Sequence, residues 1–305
     1  MVCIFDLRNC PSCLVHCEYS HMQIDWTDLH HFVTLAREGT LSAAARALGV
    51  DHVTVARRVA ALERTTKIKL VDRRARTYTL TEDGRRLAAA ASPMEHAAFA
   101  IERAVVASRP GLTGEVSISA PPTLANRIIA PRLVELRRQH PAIAIKLIGE
   151  KRIASLNRRE ADIALRLSRP DEPGLIARKV GRFGFSLYGA PHYLKETPQH
   201  ALGFIAYDAS MDSAPQQQWL KAIAGRREIV LQTGDLESQA AAARAGLGIA
   251  ALPHFVGDND PGLIRYDERQ GGVGRDIWLV VHRDLRHSPL IRAVMDFLVR
   301  CAGPN

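Results

Sequence analysis

Residues Ser42–Glu63 read SAAARALGVDHVTVARRVAALE, and their spacing decides how the rest of the chain is read. The first half is a short alanine-rich helix for which Ser42 is the expected N-cap, its hydroxyl accepting from an amide of the first turn. Gly49 ends that helix, as glycine does where a left-handed residue is needed. Asp51 can cap the next one, from about His52 to Arg64. Within it Val55, Val59 and Leu62 fall at i, i+4 and i+7 and predict one buried stripe, with Thr54, Arg57, Arg58 and Ala61 on other faces. Ala44, Ala45 and Leu48 let the two helices approach closely at a steep angle, so the second can turn its polar face outward. That is the pattern of a helix-turn-helix, whose second helix enters the major groove of DNA.

The flanks agree. Upstream, Leu29, Phe32, Val33 and Ala36 recur at helical spacing between Trp26 and Arg37, and Gly39-Thr40 breaks that helix. Downstream, positions 57–76 hold Arg57, Arg58, Arg64, Lys67, Lys69, Arg73, Arg74 and Arg76 against only Glu63 and Asp72. Such a run suits phosphate neutralisation and counterion release. The segment KLVDRRARTYTLTEDG reads as two short strands around a basic tip. The net charge of +9 over 305 residues favours an anionic partner in the same way, although weakly by itself.

From Thr81 to about Ser108 a further helix is predicted. Leu87, Ala91, Met94, Ala98, Ile101 and Val105 alternate spacings of four and three, as the a and d positions of a coiled coil do. Leu87, Met94, Ala98, Ile101 and Val105 are thus candidates for pairing two chains, or for packing on their own domain. Pro93 interrupts the pattern, and Arg109-Pro110-Gly111 marks a hinge.

After Gly111 short apolar runs alternate with helices. Strands are expected at EVSISA, AIKLI, ADIALRL, FGFSLYG, GFIAY, EIVLQT, GIAALP and DIWLVVH. Helices are expected at LANRIIAPRLVELRRQ, PQQQWLKAI, LESQAAAARAG and SPLIRAVMDFLVRC. This alternation implies parallel, covered sheets, here split into two α/β lobes. Ligands in such sheets sit beyond the carboxyl ends of strands. Pro122 and Thr123 after the first strand, Lys151 after the second, Arg166 and Ser168 at the end of the third, and Tyr207 and Asp208 in the other lobe bracket that place. They suit a small organic acid. Thr123 either offers its hydroxyl to a ligand or caps the following helix.

The chain resembles the LysR-type transcriptional regulators from Asp25 onward. The likeness rests on GTLSAAARALGVDHVTVARRVAALE, KLVDRRARTYTLTEDG, GEVSIS, HPAIAIKLI followed by READIALRL, and ARAGLGIAALP. It implies a winged helix-turn-helix, a dimerising linker helix, and a two-lobed, Rossmann-like effector domain similar to type II periplasmic solute-binding proteins. The boundaries expected are 22–84, 85–110 and 111–305. The first lobe spans about 111–180 and 283–305, the second 181–282, and crossing strands lie near 178–188 and 277–282. The implied partners are double-stranded promoter DNA, further copies of the chain as a dimer of dimers, and RNA polymerase. His52, Thr54, Arg57, Arg58, Arg73, Arg74 and Arg76 are the implied DNA contacts, with Arg57 at the family's near-constant arginine. Val53 and Ala56 stand where the family more often has hydroxyl residues or proline, Val71 replaces its phenylalanine, and Pro93 is atypical of its linker.

Enzyme readings lack residues to carry them. The sequence contains no Gly-x-Ser-x-Gly elbow, phosphate loop, His-Glu-x-x-His pair or dinucleotide glycine fingerprint, and no catalytic residue or cofactor is expected. The competing class is a cytoplasmic small-molecule-binding or catalytic α/β protein with a coincidental basic helical front, against which the wing-like segment argues. No run approaches the roughly 20 apolar residues of a membrane span, so a cytoplasmic protein is the expectation. Cys3, Cys10, Cys13 and Cys17 with His16 and His21 read either as a small zinc or redox site or as an extension, 1–21, upstream of a working start at Met22. The missing second ligand pair favours the extension, so no metal is expected.

Overall fold

A computed structural model describes residues 23–72, 78–108, 110–150, 154–266 and 272–303. The chain divides into two compact units, Met1–Ala98 and Phe99–Asn305. The cysteine-rich segment before Met22 lies outside the described residues.

The first unit contains α1 (Trp26–Glu38), α2 (Leu41–Leu48), α3 (His52–Thr66), β1 (Val71–Asp72), β2 (Thr79–Leu80) and the start of α4 (Glu82–Ser108). Asp25 caps α1, accepting from the amides of Thr27 and Asp28 at 2.7 and 3.1 Å. Gly39, at φ 73°, reverses the chain so sharply that α2 begins two residues earlier than its sequence suggests. Thr40, in extended backbone, is therefore the cap, its hydroxyl accepting from the Ala43 amide at 3.2 Å. Ser42 sits inside the first turn, a correction to the expected cap. Asp51 caps α3 as expected, accepting from the Thr54 amide at 2.6 Å. Those hydrogen bonds hold the Asp51 carboxyl below its ordinary range.

Val55, Val59 and Leu62 are buried against Phe32, Leu35, Ala44 and Leu70 in a single core. Glu63, on the neighbouring face of α3, is buried too. One carboxylate oxygen accepts from the amides of Leu70 and Val71 at 2.9 and 3.2 Å, and Lys69 lies 3.6 Å from the other. This carboxylate ties the recognition helix to the entry of β1. The strands then pair antiparallel, Val71 with Leu80 and Asp72 with Thr79. At Gly84 the turn of α4 crosses the Leu70 carbonyl, and a Cβ there would lie 2.2 Å from that oxygen. Gly84→Ala should therefore cost about 1–3 kcal/mol through forced displacement of backbone. Thermal denaturation of the variant reads this directly, and an unshifted midpoint would show that the helix can slide away.

Helix α4 runs through Pro93 without a break. Its predicted apolar stripe is one face with two environments. Leu87 and Ala91 are absorbed by the core of the first unit, whereas Met94, Ile101 and Val105 stay 54%, 67% and 51% exposed. Leu87 is partly buried against the core of the first unit, at the amino end of the face it shares with Met94.

The second unit is built on a nine-stranded sheet of order β4-β3-β5-β11-β6-β9-β7-β8, with β10 beside β6. Its elements are β3 (Gly114–Ala120), α5 (Pro122–Leu124), α6 (Leu133–Gln139), β4 (Ile143–Gly149), β5 (Ile163–Arg166) and β6 (Leu175–Gly189). Then follow α7 (Pro191–Glu196), β7 (Phe204–Ala206), α8 (Pro215–Ala224), β8 (Ile229–Gln232), α9 (Leu236–Arg244) and β9 (Ile249–Pro253). The last are α10 (His254–Gly257), β10 (Ile264–Tyr266), β11 (Val273–His282) and α11 (Pro289–Ala302). β3 pairs in parallel with β4 and β5, and β7 with β8 and β9. β6 and β11 run antiparallel between these groups and belong to both lobes.

The first lobe buries Val116, Ile118, Ile163, Val294, Phe297 and Leu298. The second buries Ile205, Ala243 and Leu252 on one side of its sheet, and Phe204, Leu220 and Ile249 on the other. The helix expected as one run over 124–139 is broken. Residues 125–129 form a π turn and 130–132 a 3-10 turn before α6. Pro131, which has no amide to donate, sits in the 3-10 turn where this helical run changes character.

Candidate nucleic-acid interface and effector cleft

On α3 the side chains of His52, Val53 and Arg57 are exposed, Val53 to 64%. Arg57 has no hydrogen-bond or ion-pair partner among the described residues. Thr54 is half-buried, and its hydroxyl donates to Asp51 at 3.0 Å, so part of its capacity is spent on the cap. Arg58 differs from Arg57 although the two are adjacent. Its guanidinium donates to Asp28 on α1 at 3.1 Å and holds α3 against α1. Arg73, Arg74 and Arg76 at the wing tip lie outside the described residues.

In the second unit the two lobes enclose a cavity of about 500 Å³, beyond the carboxyl ends of β3, β5 and β7. That volume is within the range of small-molecule sites, about 300–1,000 Å³. Pro122, Thr123, Arg166, Ser168 and Tyr207 line it. Lys151 lies outside the described residues. Asp208 does not line the cavity, because its carboxylate turns back to accept from the amide and hydroxyl of Ser210. Thr123 is not a cap: Pro121 holds that position with no side-chain bond, and Thr123 lies buried in the first turn.

Sequence reading missed several lining residues. Phe183 and Phe185 alternate along β6 and so share a face, a signal the FGF spacing does carry. Phe255 meets Phe183 edge to face at 5.2 Å between ring centroids. Arg275 and Gln216 had no local signal at all. Arg275 on β11 donates to Gln216 on α8 at 2.8 Å and to the Leu167 carbonyl at 3.0 Å, touching both lobes. Arg166 donates to the Ser119 hydroxyl at 3.1 Å and to the Ala154 carbonyl at 3.0 Å. Burial pulls both guanidinium pKa values down, and no carboxylate among the described residues forms an ion pair with either. Burial likewise pushes the Tyr207 phenol up to about 12. Nearby, Arg127 of the first lobe pairs with Glu237 of the second through both of its carboxylate oxygens.

The last turns of α4 are fastened within the second unit. Arg103, buried, donates to Asp284 at 3.1 Å and to the Asn157 carbonyl at 2.9 Å. Among the described residues no helix is long and apolar enough to cross a membrane, and no cluster of metal-ligating side chains occurs.

A winged helix-turn-helix joined by a long helix to a two-lobed sensor sheet defines a DNA-binding transcriptional regulator with an effector domain. Residues 26–85 match the bacterial regulatory helix-turn-helix protein family of lysR type, and residues 109–302 match the LysR substrate binding domain. The chain belongs to the LysR family, whose members are regulators that bind promoter DNA and form oligomers. It is 28% identical over 274 residues to the Mau operon transcriptional activator of Paracoccus denitrificans, covering 90% of this chain and 95% of that protein. It is 25% identical over 296 residues to the HTH-type transcriptional regulator CrgA of Neisseria meningitidis serogroup C, covering 93% and 99%. The full-length Vibrio cholerae virulence activator AphB shares its fold, with a TM-score of 0.62 at 23% identity, covering 91% of this chain and 99% of that one.

Proposed function

We propose that this regulator reads promoter half-sites with His52, Thr54 and Arg57, steadied by Arg73, Arg74 and Arg76 of the wing on flanking phosphates. A small organic acid in the cleft would shift the lobes relative to each other. That shift would change the spacing of DNA-binding heads in a dimer of dimers and the bending of promoter DNA seen by RNA polymerase. Arg58, engaged with Asp28, supports the recognition helix rather than reading bases. The observation that carries the reading is Arg57, exposed on the outward face of α3 and without a partner among the described residues.

In vitro selection of genomic fragments at physiological salt with competitor DNA tests it. Recovery of a few promoter sites with pseudo-palindromic halves is the expected result. Uniform, salt-sensitive binding would mean that the basic front grips phosphates without reading sequence.

The stripe of exposed Met94, Ile101 and Val105 with half-buried Ala98 is the proposed pairing surface between copies. Ile101→Asp should weaken self-association by about 100-fold or more, since an unpaired carboxylate would be buried in an apolar seam. Light scattering across a protein dilution series reads the change. An unaltered mass at low concentration would remove this face from the interface.

A further inference from the structure

We infer that the cleft takes a monoanionic carboxylate with a compact apolar body, its carboxylate held by Arg275 in the field of Arg166 and its body against Phe183, Phe185 and Phe255. This rests on reading the cleft as the effector site. Both arginines line the cavity, and their partners are neutral oxygens: Gln216 and Leu167 for Arg275, and Ser119, Leu165 and Ala154 for Arg166. Two half-buried guanidiniums with no ion-paired carboxylate among the described residues are costly to desolvate, and a neutral ligand would desolvate them further. A carboxylate relieves that cost.

Arg275 is the better anchor of the two. A guanidinium has five N–H groups, and only two are committed here, so a fork remains for bidentate pairing. Helix N-termini do not compete for the anion. α9 is already capped by Asp235, which accepts from the Ser238 amide at 2.9 Å, and α5 is only three residues long.

Carboxylates in the cavity lining disfavour a second anionic group on the ligand. Asp235 and Glu150 also line the cavity, and a second anionic group reaching across would meet them. Phe183, Phe185 and Phe255, with Leu124, Met211 and Leu236, give the cavity an apolar surface that suits a ring or a branched alkyl group. Because Arg275 spans Gln216 of one lobe and Leu167 of the other, a carboxylate bound there acts at the element both lobes share.

Calorimetry and thermal unfolding of the full chain with phenylacetate and 4-methylpentanoate test the inference. Phenylacetamide, succinate and L-phenylalanine serve as neutral, dianionic and zwitterionic controls. The acids should bind and raise the melting temperature, with the amide about 10- to 100-fold weaker, as expected when a charge-assisted pair is lost. Arg275→Gln should weaken acid binding by a similar factor, and Arg275→Lys should recover part of it without the bidentate geometry. Unliganded melting curves of both variants establish that they fold. Amide binding as tight as the acid, or preference for succinate or L-phenylalanine, would overturn the monocarboxylate. If such binding were lost on Phe255→Asp, the cleft would still stand as the effector site. Failure of every compound to bind would overturn both readings.

Discussion

Arg57→Ala is expected to abolish discrimination between operator and scrambled DNA while leaving stability within about 0.5 kcal/mol of the parent, as for surface changes that touch no structural feature. The side chain is exposed on α3 and has no partner among the described residues, so its removal breaks nothing in the fold. A bidentate arginine–guanine contact is worth about 1–3 kcal/mol. With one such contact in each of two half-sites, operator affinity should fall by roughly 30-fold to 20,000-fold. Fluorescence anisotropy with operator and scrambled duplexes at fixed salt measures this. If Arg57 instead pairs with a phosphate, both duplexes would weaken equally, and the slope of log affinity against log salt would shrink by about one per head. A variant that still binds operator as tightly as the parent would exclude Arg57 from the interface. The adjacent Arg58→Ala is the informative contrast, because the ion pair with Asp28 makes its loss structural.

The largest stability effect is expected at Glu63. Its carboxylate accepts from two buried amides, those of Leu70 and Val71, seven and eight residues downstream. Alanine would leave both donors unpaired, at about 1–3 kcal/mol each. Glu63→Ala should therefore lower the stability of the DNA-binding unit by about 2–6 kcal/mol. Glu63→Gln, which keeps an acceptor oxygen of the same reach, should lose distinctly less. Denaturant unfolding of the two variants separates these outcomes. An alanine variant with an unchanged midpoint would mean that water reaches both amides. DNA affinity should fall alongside stability, since this carboxylate positions the start of the wing relative to the recognition helix.

Where the chain repeats locally, its structure was legible. Val55, Val59 and Leu62 announce their burial by spacing alone, and Asp51 announces its cap by standing between Val50 and a helical run. The strands of both lobes stand out as short apolar runs between turn residues. What escaped was set by geometry that no window contains. Thr40 caps α2 because Gly39 turns the chain two residues early. Leu87 is partly buried because the core of α1–α3 reaches that end of α4. Asp208 turns to Ser210, two residues on, whose amide and hydroxyl both donate to it. Arg275 was invisible for the plainest reason: its partners Gln216 and Leu167 lie 59 and 108 residues away.

The first lobe is assembled from both ends of the second unit. Helix α11, Pro289–Ala302, supplies Val294, Phe297 and Leu298 to a core that also contains Val116 and Ile118 of β3. On a ribosome the DNA-binding unit emerges complete well before that helix exists, and domains generally fold as they emerge. A truncated message or late frameshift would then release a folded DNA-binding head whose sensor lobe lacks its closing helix. Such fragments would occupy operators without answering to effector, and they could pair through Met94, Ile101 and Val105 with intact copies. Genetically, nonsense alleles near the 3′ end should behave as dominant over the wild-type gene, whereas those before α3 should be simple losses.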